Sequence, residues 1–148
     1  MFFNIYIVKY VMAFGDIEHF GKEKRERLPV RVIPITTDNV AKYWPNTNHG
    51  ELSRLENGDL YWCIATCPSG EMIGYAAVDC SAGNLFGLMV EEGYRQRGVA
   101  TQLIEFLKTI FTRLELVNSA GIIGDEFYPK MGFEPSGEFG HMTWRHNV

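Results

Sequence analysis

The chain has 148 residues, of which 46% are hydrophobic, so it can form one domain with a core of its own. Its net charge of −4 gives no electrostatic footprint for nucleic acid. The three cysteines are an odd number without a disulfide framework, which favours a reducing compartment, and the four histidines lack metal-ligand spacing. We therefore expect a cytoplasmic domain that binds neither nucleic acid nor a metal ion.

The first 29 residues stand apart from the rest of the chain. Residues 2–8 are aromatic and β-branched, and Lys9 then interrupts the apolar run. A positive charge inside the run argues against a signal peptide, and about thirteen residues are too few to cross a bilayer. We interpret residues 1–29 as an N-terminal extension without a membrane role. Its apolar segment is expected to form an extra edge strand or an accessory helix, and the mixed-charge run at residues 21–27 a solvated linker. A natural start at Met12 stays an alternative.

The domain proper is predicted to begin at residue 30. Residues 30–35 alternate partly and predict a strand, at an edge because of Pro34. Thr37 and Asp38 offer an N-cap for a short helix through Tyr43. Another helical turn or two is expected in residues 51–57.

The middle of the chain predicts a β-hairpin followed by a central strand and a helix. Residues 60–66 and 72–79 are strand candidates joined by a Pro-Ser-Gly turn, and residues 85–90 have the length of a buried strand. Apolar residues then recur at the spacing of one helix face, at Val99, Leu103, Phe106, Leu107, Ile110 and Leu114.

The junction between that strand and that helix contains Arg95, Gly98 and Ala100. A helix start offers N–H groups and the positive end of the dipole, and glycine permits close approach of a ligand to the backbone. The junction is therefore a candidate diphosphate site, with a packed strand–helix corner as the alternative. It matches neither the P-loop nor the dinucleotide fingerprint.

The C-terminal third predicts a strand at residues 114–118, a short helix ending near Met131 with Gly132 as its stop, and strands at residues 133–135 and 141–145. The predicted order of elements is therefore β α α β β β α β α β β.

Two segments resemble signatures of the GNAT family of N-acetyltransferases. The run Arg-Gln-Arg-Gly-Val-Ala at residues 95–100 is similar to that family's R/Q-x-x-G-x-G/A motif, and residues 127–133 are similar to its F/L-Y-x-K-x-G-F motif. The resemblance covers about residues 30 to 145. It implies an α/β (α+β) GNAT acyl-CoA N-acyltransferase fold, with a mixed central sheet that is splayed between strands 4 and 5 and flanked by helices. Residues 30–148 would form this domain.

The resemblance also implies acetyl-CoA as cosubstrate. The pantetheine arm would bind the backbone of Leu88, Met89 and Val90. The pyrophosphate would lie on the backbone amides of Arg95, Gln96, Arg97, Gly98, Val99 and Ala100, with Thr101 as a further donor. The alternative for the two arginines is that they solvate the loop.

The implied reaction is direct attack of a primary amine on the thioester. By the resemblance, the Val90 amide polarises the acetyl carbonyl and Tyr128 acts on the leaving sulfur. Full proton transfer from a phenol of pKa about 10 to a thiolate of pKa about 8.5 is uphill by roughly 2 kcal/mol, so Tyr128 could mainly donate a hydrogen bond. The alternative is a core tyrosine with a satisfied hydroxyl.

The general base is not identified by the sequence. Some family members carry a glutamate early on the fourth strand, and the corresponding position here is about Asn84, which cannot accept a proton. Asp79, Glu91 and Glu126 are substitutes by proximity in sequence only.

Two further departures precede Tyr128. Gly121 and Gly124 stand where many relatives have asparagine and alanine, and each glycine costs helix stability by about 1 kcal/mol against alanine. The helix is therefore expected to start late, with Asp125 as its cap. The family's acceptor pocket suggests as wall candidates Tyr43, Trp44, His49, His141 and Trp144.

Two function classes stay open. The first is an N-acetyltransferase that acts on a primary amine, as a monomer or homodimer. The second is a catalytically degenerate acyl-CoA-binding module that regulates a partner, which Asn84 and the two glycines favour. The acceptor itself is not specified by the sequence.

Overall fold

The computed structural model describes residues 26–119 and 122–146. The predictions for residues 2–8 lie outside this part of the chain. The elements are β1 (Arg31–Pro34), α1 (Val40–Tyr43), α2 (His49–Asn57), β2 (Leu60–Thr66), β3 (Met72–Asp79), β4 (Asn84–Val90), α3 (Val99–Ile110), β5 (Arg113–Val117), α4 (Ile122–Lys130), β6 (Glu134–Pro135) and β7 (His141–Arg145). A short 3₁₀ turn (Glu92–Tyr94) follows β4. None of the helices described is long and apolar enough to cross a membrane.

The strands form one mixed seven-stranded sheet in the order β1-β2-β3-β4-β5-β7-β6. Only β4 and β5 are parallel among these neighbours, and within the described residues they pair at one position, Asn84 with Glu115. Beyond that position the two strands separate, so most of β4 has no partner on its β5 side. The predicted mixed sheet, open between strands 4 and 5, is confirmed.

The two faces of the sheet are covered by different helices because side chains alternate along each strand. On the face that we call the α3 face, the core includes Leu88, Val90, Leu103 and Tyr128. On the opposite α2 face, a second cluster, with three aromatic residues among its buried members, lies under α1 and α2. The cleft beside β4 therefore adjoins two separate apolar cores.

Three boundary predictions are wrong for local reasons. Asn39 and not Asp38 precedes α1, and its Oδ1 accepts a hydrogen bond from the Thr36 amide at 2.8 Å. The helix-face spacing that included Leu114 runs past the end of α3 at Ile110, because Phe111 is extended and Leu114 lies on β5.

The third wrong boundary is the start of α4, which begins at Ile122 and not after an Asp125 cap. Asp125 lies in the first turn, where its Oδ1 accepts a hydrogen bond from Asn118 Nδ2 at 2.9 Å. A Cβ at Gly124 would overlap the Asn118 side chain. Glycine at this position therefore allows close packing of α4 on the end of β5.

Candidate active site

The open edge of β4 is defined by its hydrogen bonds to β3. The Glu91 amide donates to the Ile73 carbonyl at 2.8 Å, one residue beyond the pairing of Val90 with Gly74. In an antiparallel ladder, a residue just before such a donor turns its own N–H and C=O away from the partner strand. The Val90 amide therefore points into the cleft.

The direction of the backbone N–H and C=O groups alternates along β4, and this alternation distinguishes Leu88 from Met89, the other two strand residues predicted to bind the cofactor. Leu88 lies two positions before Val90 and also turns its backbone groups to the cleft, since no bulge intervenes. Met89 pairs with Tyr75 and turns its backbone groups to β3. Of the three residues, Leu88 and Val90 thus present backbone groups to the cleft, whereas Met89 contributes a side chain to the α2 face.

The loop between β4 and α3 has an unusual backbone. Gln96 adopts φ 66°, and Gly98, the residue before α3, adopts φ 78°. The left-handed region is uncommon for a residue other than glycine, so the loop holds Gln96 in a costly conformation. No described side chain caps α3, and Gly98 itself has none to supply. Such a helix start can accept an anion.

The two arginines of the loop bind different parts of the chain. Arg95 Nε donates to the Val90 carbonyl at 2.9 Å, which fixes the end of β4. Arg97 Nε donates to the Glu26 carbonyl at 3.0 Å, and the Arg97 carbonyl accepts from the Leu28 amide at 2.9 Å. The loop is thus held both by the strand before it and by the segment that leads into β1.

A glutamine on α3 completes this connection. Gln102 accepts a hydrogen bond from the Val30 amide at 3.0 Å, and its Nε2 donates to the Leu28 carbonyl at 2.7 Å and the Gly98 carbonyl at 3.1 Å. The Arg27 side chain lies beside the same helix start, with its Cγ 3.5 Å from where a Cβ of Gly98 would be. Nothing in the sequence pattern pointed to Gln102 or Arg27, since the Gln102–Val30 hydrogen bond and the Arg27–Gly98 contact each join residues more than seventy positions apart.

Tyr128 lies on α4 and is fully buried on the α3 face, in the same core as Leu88 and Val90. Its ring packs edge-on against Phe127 at 5.3 Å and Phe133 at 6.0 Å between centroids. Within the described residues its hydroxyl has no hydrogen-bond partner. Burial raises the pKa of Tyr128, so the phenol keeps its proton and can donate to an incoming group.

The α2 face carries a cluster of aromatic rings beside β4. Trp44 packs on Trp62 with centroids 4.2 Å apart and meets Tyr75 edge-on at 5.9 Å. Phe86 and Met89 of β4 pack against the same cluster. This arrangement brings an aromatic layer to the strand that lines the cleft.

The predicted wall residues are distributed over both faces. Trp44 is buried in the aromatic cluster and Tyr43 packs beside it. Trp144 belongs to the α3 face, where Lys108 Nζ lies 5.2 Å from its ring. His49 begins α2 and His141 begins β7, and both are exposed.

A buried carboxylate on this face was missed by the sequence analysis. Glu51 lies in the first turn of α2 and has 0% exposed surface. Asn48 caps the helix by accepting from the Glu51 amide at 2.8 Å, and Asn48 Nδ2 donates to Glu51 Oε1 at 3.2 Å. The other oxygen, Oε2, has no hydrogen-bond partner in the part of the chain described. Burial raises the pKa of Glu51, and the Asn48 hydrogen bond opposes this.

The spacing Asn48-x-x-Glu51 is a capping-box pattern, so the sequence indicates that a helix starts here. It does not indicate that the Glu51 side chain is buried. The acidic residues that the sequence suggested as general bases are not buried as Glu51 is. Asp79 accepts from the Ser81 amide at 3.1 Å and lies 3.7 Å from Arg54, and Glu91 and Glu126 are exposed.

Residues 57–135, more than half of the chain, match the family model described as acetyltransferase (GNAT) domain. No curated protein matches the chain significantly.

Solved structures share the fold at low identity. A GNAT-family acetyltransferase from Listeria monocytogenes is 15% identical over 85% of this chain and 100% of its own, with a TM-score of 0.57. The N-acetyltransferase YhbS from Escherichia coli, solved in complex with CoA, is 22% identical over 84% of each chain, with a TM-score of 0.50. The aminoglycoside 6'-N-acetyltransferase from Enterococcus faecium is 15% identical over 78% of this chain and 96% of its own, with a TM-score of 0.53. At these identities the likeness is one of fold.

Proposed function

The chain belongs to the GNAT acetyltransferase family and is an acyltransferase, and from this premise we propose that it transfers the acetyl group of acetyl-CoA to a primary amine. The observation that carries the proposal is the unpartnered, buried hydroxyl of Tyr128 in the same core as the open edge of β4. An acyl-transfer site needs a donor for the leaving group next to donors for the carbonyl oxygen. Tyr128 and the Val90 amide are such donors.

Acetyl-CoA would lie along the open edge of β4. The cleft-facing amide and carbonyl of Leu88 supply one donor and one acceptor for the amides of the pantetheine arm. The Val90 carbonyl already accepts from Arg95, so Val90 offers only its amide to the cleft. The pyrophosphate would lie at the start of α3, on the backbone between Arg95 and Thr101. The left-handed Gly98 supports this placement, because a glycine without a Cβ lets an anion approach the chain.

The chemistry needs no covalent enzyme intermediate. The neutral amine attacks the thioester carbon, and the Val90 N–H donates to the oxygen on which negative charge develops. When the C–S bond breaks, Tyr128 donates a hydrogen bond to the departing thiolate, and the proton lost by the attacking nitrogen passes to solvent. Burial raises the pKa of the phenol, which makes full proton transfer less favourable and favours the hydrogen-bonding role.

We also propose that the protein acts in the cytoplasm as a monomer or homodimer. Cys63, Cys67 and Cys80 are free thiols in the structure, as a reducing compartment would keep them. The Enterococcus faecium enzyme named above acetylates an amine of an aminoglycoside by its name, which supports an amine as acceptor here.

The test is release of CoA thiol from acetyl-CoA in the presence of a panel of primary amines, with mass spectrometry of the acetylated product. We expect release above the amine-free background for at least one amine, and none for the corresponding alcohols. Calorimetry with CoA is run in parallel. Tight CoA binding without release for any amine would overturn the enzymatic proposal and favour the non-catalytic acyl-CoA-binding module.

A further inference from the structure

Glu51 is a costly residue to bury where it is. An ionised carboxylate moved from water to a protein interior loses solvation worth several kcal/mol unless it is paired. Among the described residues, only one of its two oxygens receives a hydrogen bond, and no charged side chain contributes to its pKa shift. A helix cap does not need this burial, because the same contact with Asn48 works at a surface.

The position of Glu51 relates it to the aromatic cluster. Leu55 lies one helical turn after Glu51 on the same side of α2, and Leu55, like Phe86, packs against the cluster that contains Trp62. The carboxylate thus belongs to the layer that covers the α2 face beside β4. Trp62 Nε1 is also buried in this layer without a hydrogen-bond partner in the described part of the chain.

These groups suit a cation with an apolar body. Aromatic faces attract an ammonium ion, and a carboxylate forms a charge-assisted hydrogen bond with it. Glu51 is the one charged residue among the buried residues described. One buried negative charge compensates one positive charge, and a second ammonium on the same molecule would be buried without a partner.

We propose that Glu51 binds the acceptor in its ammonium form, before that nitrogen gives up its proton to solvent and attacks as the neutral amine, and that Glu51 selects singly charged amines over diamines and polyamines. This inference rests on the proposed function, since it concerns the acceptor of that reaction. Glu51 is closed off from solvent in the structure, so the acceptor must displace part of the layer formed by α1, α2 and their connection. The Phe86 and Met89 side chains of β4 border the same layer, which places the bound amine beside the strand that would hold the thioester.

The test compares wild type with Glu51→Gln, which keeps the side-chain size and the oxygen that accepts from Asn48 but removes the charge. Glu56→Gln is the matched control, because Glu56 lies on the same helix and is exposed. Each variant is assayed with pairs of amines of equal length, such as butylamine with 1,4-diaminobutane. We expect Glu51→Gln to raise the KM for the monoamine about 10- to 100-fold, the range for a hydrogen bond to a charged group. The KM for acetyl-CoA and the kinetics of Glu56→Gln should not change.

Equilibrium binding of the same amine pairs to the CoA-loaded protein gives a result even without turnover. Tighter binding of the monoamine by wild type, lost in Glu51→Gln, would support the proposal whether or not acetyl transfer occurs. Failure of acetyl transfer alone would therefore count against the enzymatic proposal and not against the role of Glu51. No preference for the monoamine, or equal binding by wild type and Glu51→Gln, would overturn the role of Glu51.

Stability provides a separate check. If the charge of Glu51 stabilised the folded protein at the N-terminus of α2, Glu51→Gln would unfold at a lower denaturant concentration than wild type at pH 7. If the buried charge is kept for binding, the variant should be as stable as wild type or more stable at pH 7.

Discussion

Tyr128 combines complete burial with a hydroxyl that lacks a partner among the described residues, and this determines what its removal should do. Tyr128→Phe keeps the ring and its packing on Phe133 but removes the donor. An interaction made only in the transition state lowers kcat and kcat/KM together, so we expect a loss of about 10- to 1000-fold in turnover with little change in acetyl-CoA affinity.

Tyr61→Phe is the matched control for this experiment, because Tyr61 is a half-buried tyrosine on β2 that packs edge-on against Phe111. It should retain wild-type turnover. Since burial raises the pKa of Tyr128 above its ordinary 10.0, the deficit of Tyr128→Phe should persist through pH 10. Equal rates for wild type and Tyr128→Phe across the pH range would assign the leaving-group proton to another group.

The burial of Glu51 leads to a prediction about how the free energy of unfolding depends on pH. Its folded-state pKa is raised from the ordinary value of 4.5, so the folded protein binds more protons than the unfolded chain above that pH. Stability therefore falls as pH rises from about 4.5 to the folded-state pKa, and the loss is complete above it. Urea unfolding of wild type and Glu51→Gln from pH 4 to pH 8 should show wild type losing stability relative to the variant. A constant difference would contradict the shifted pKa.

Gly98 at the start of α3 adopts a left-handed turn and, because it has no Cβ, adds no side chain at the helix N-terminus. Gly98→Val places a β-branched residue at φ 78°, where such residues are strained, and adds bulk at the proposed pyrophosphate site. We expect the dissociation constant for CoA, measured by calorimetry, to rise tenfold or more, which corresponds to about 1.4 kcal/mol or more.

Gly58→Val separates strain from binding, since Gly58 ends α2 at φ 80° with no atom within 4 Å of an added Cβ. It should lose similar stability and keep CoA affinity. If both variants bound CoA equally well, the pyrophosphate would have to lie elsewhere.

For single helices and strands, the sequence predicts the features that depend on residues close together along the chain. The bounds of β2, β3 and β7 agree with their predicted ranges, because apolar runs between turn residues determine them locally. The predicted cap of α1, Asp38, is one residue too early. Asn39 precedes the helix instead, and its side chain accepts a hydrogen bond from the Thr36 amide. Burial of Glu51 and the contacts of Gln102 depend on packing between distant segments, and no local pattern encodes them.

For the whole molecule, the family signatures correctly predicted both the fold and the opening between β4 and β5. Which backbone groups face that opening followed only from the hydrogen-bond register.

The register of β4 on β3 leads to a prediction for amide hydrogen exchange. CoA should slow exchange at Leu88 and Val90, whose amides point into the cleft. The Met89 amide pairs with β3 and serves as an internal control that should change little. Equal protection at all three positions would indicate general stabilisation and not binding along β4.

Among the described residues, β4 and β5 pair at a single position, so acyl-CoA bound as proposed would form part of the sheet as well as serve as the substrate. With the cofactor in place, hydrogen bonding would run from β4 through the pantetheine arm toward the other half of the sheet. A ligand that binds only the folded state adds about 2.7 kcal/mol of stability at one hundred times its dissociation constant. We therefore expect the lifetime of this protein in a cell to follow the supply of acyl-CoA, so that starvation for the cosubstrate would remove the enzyme as well as its activity.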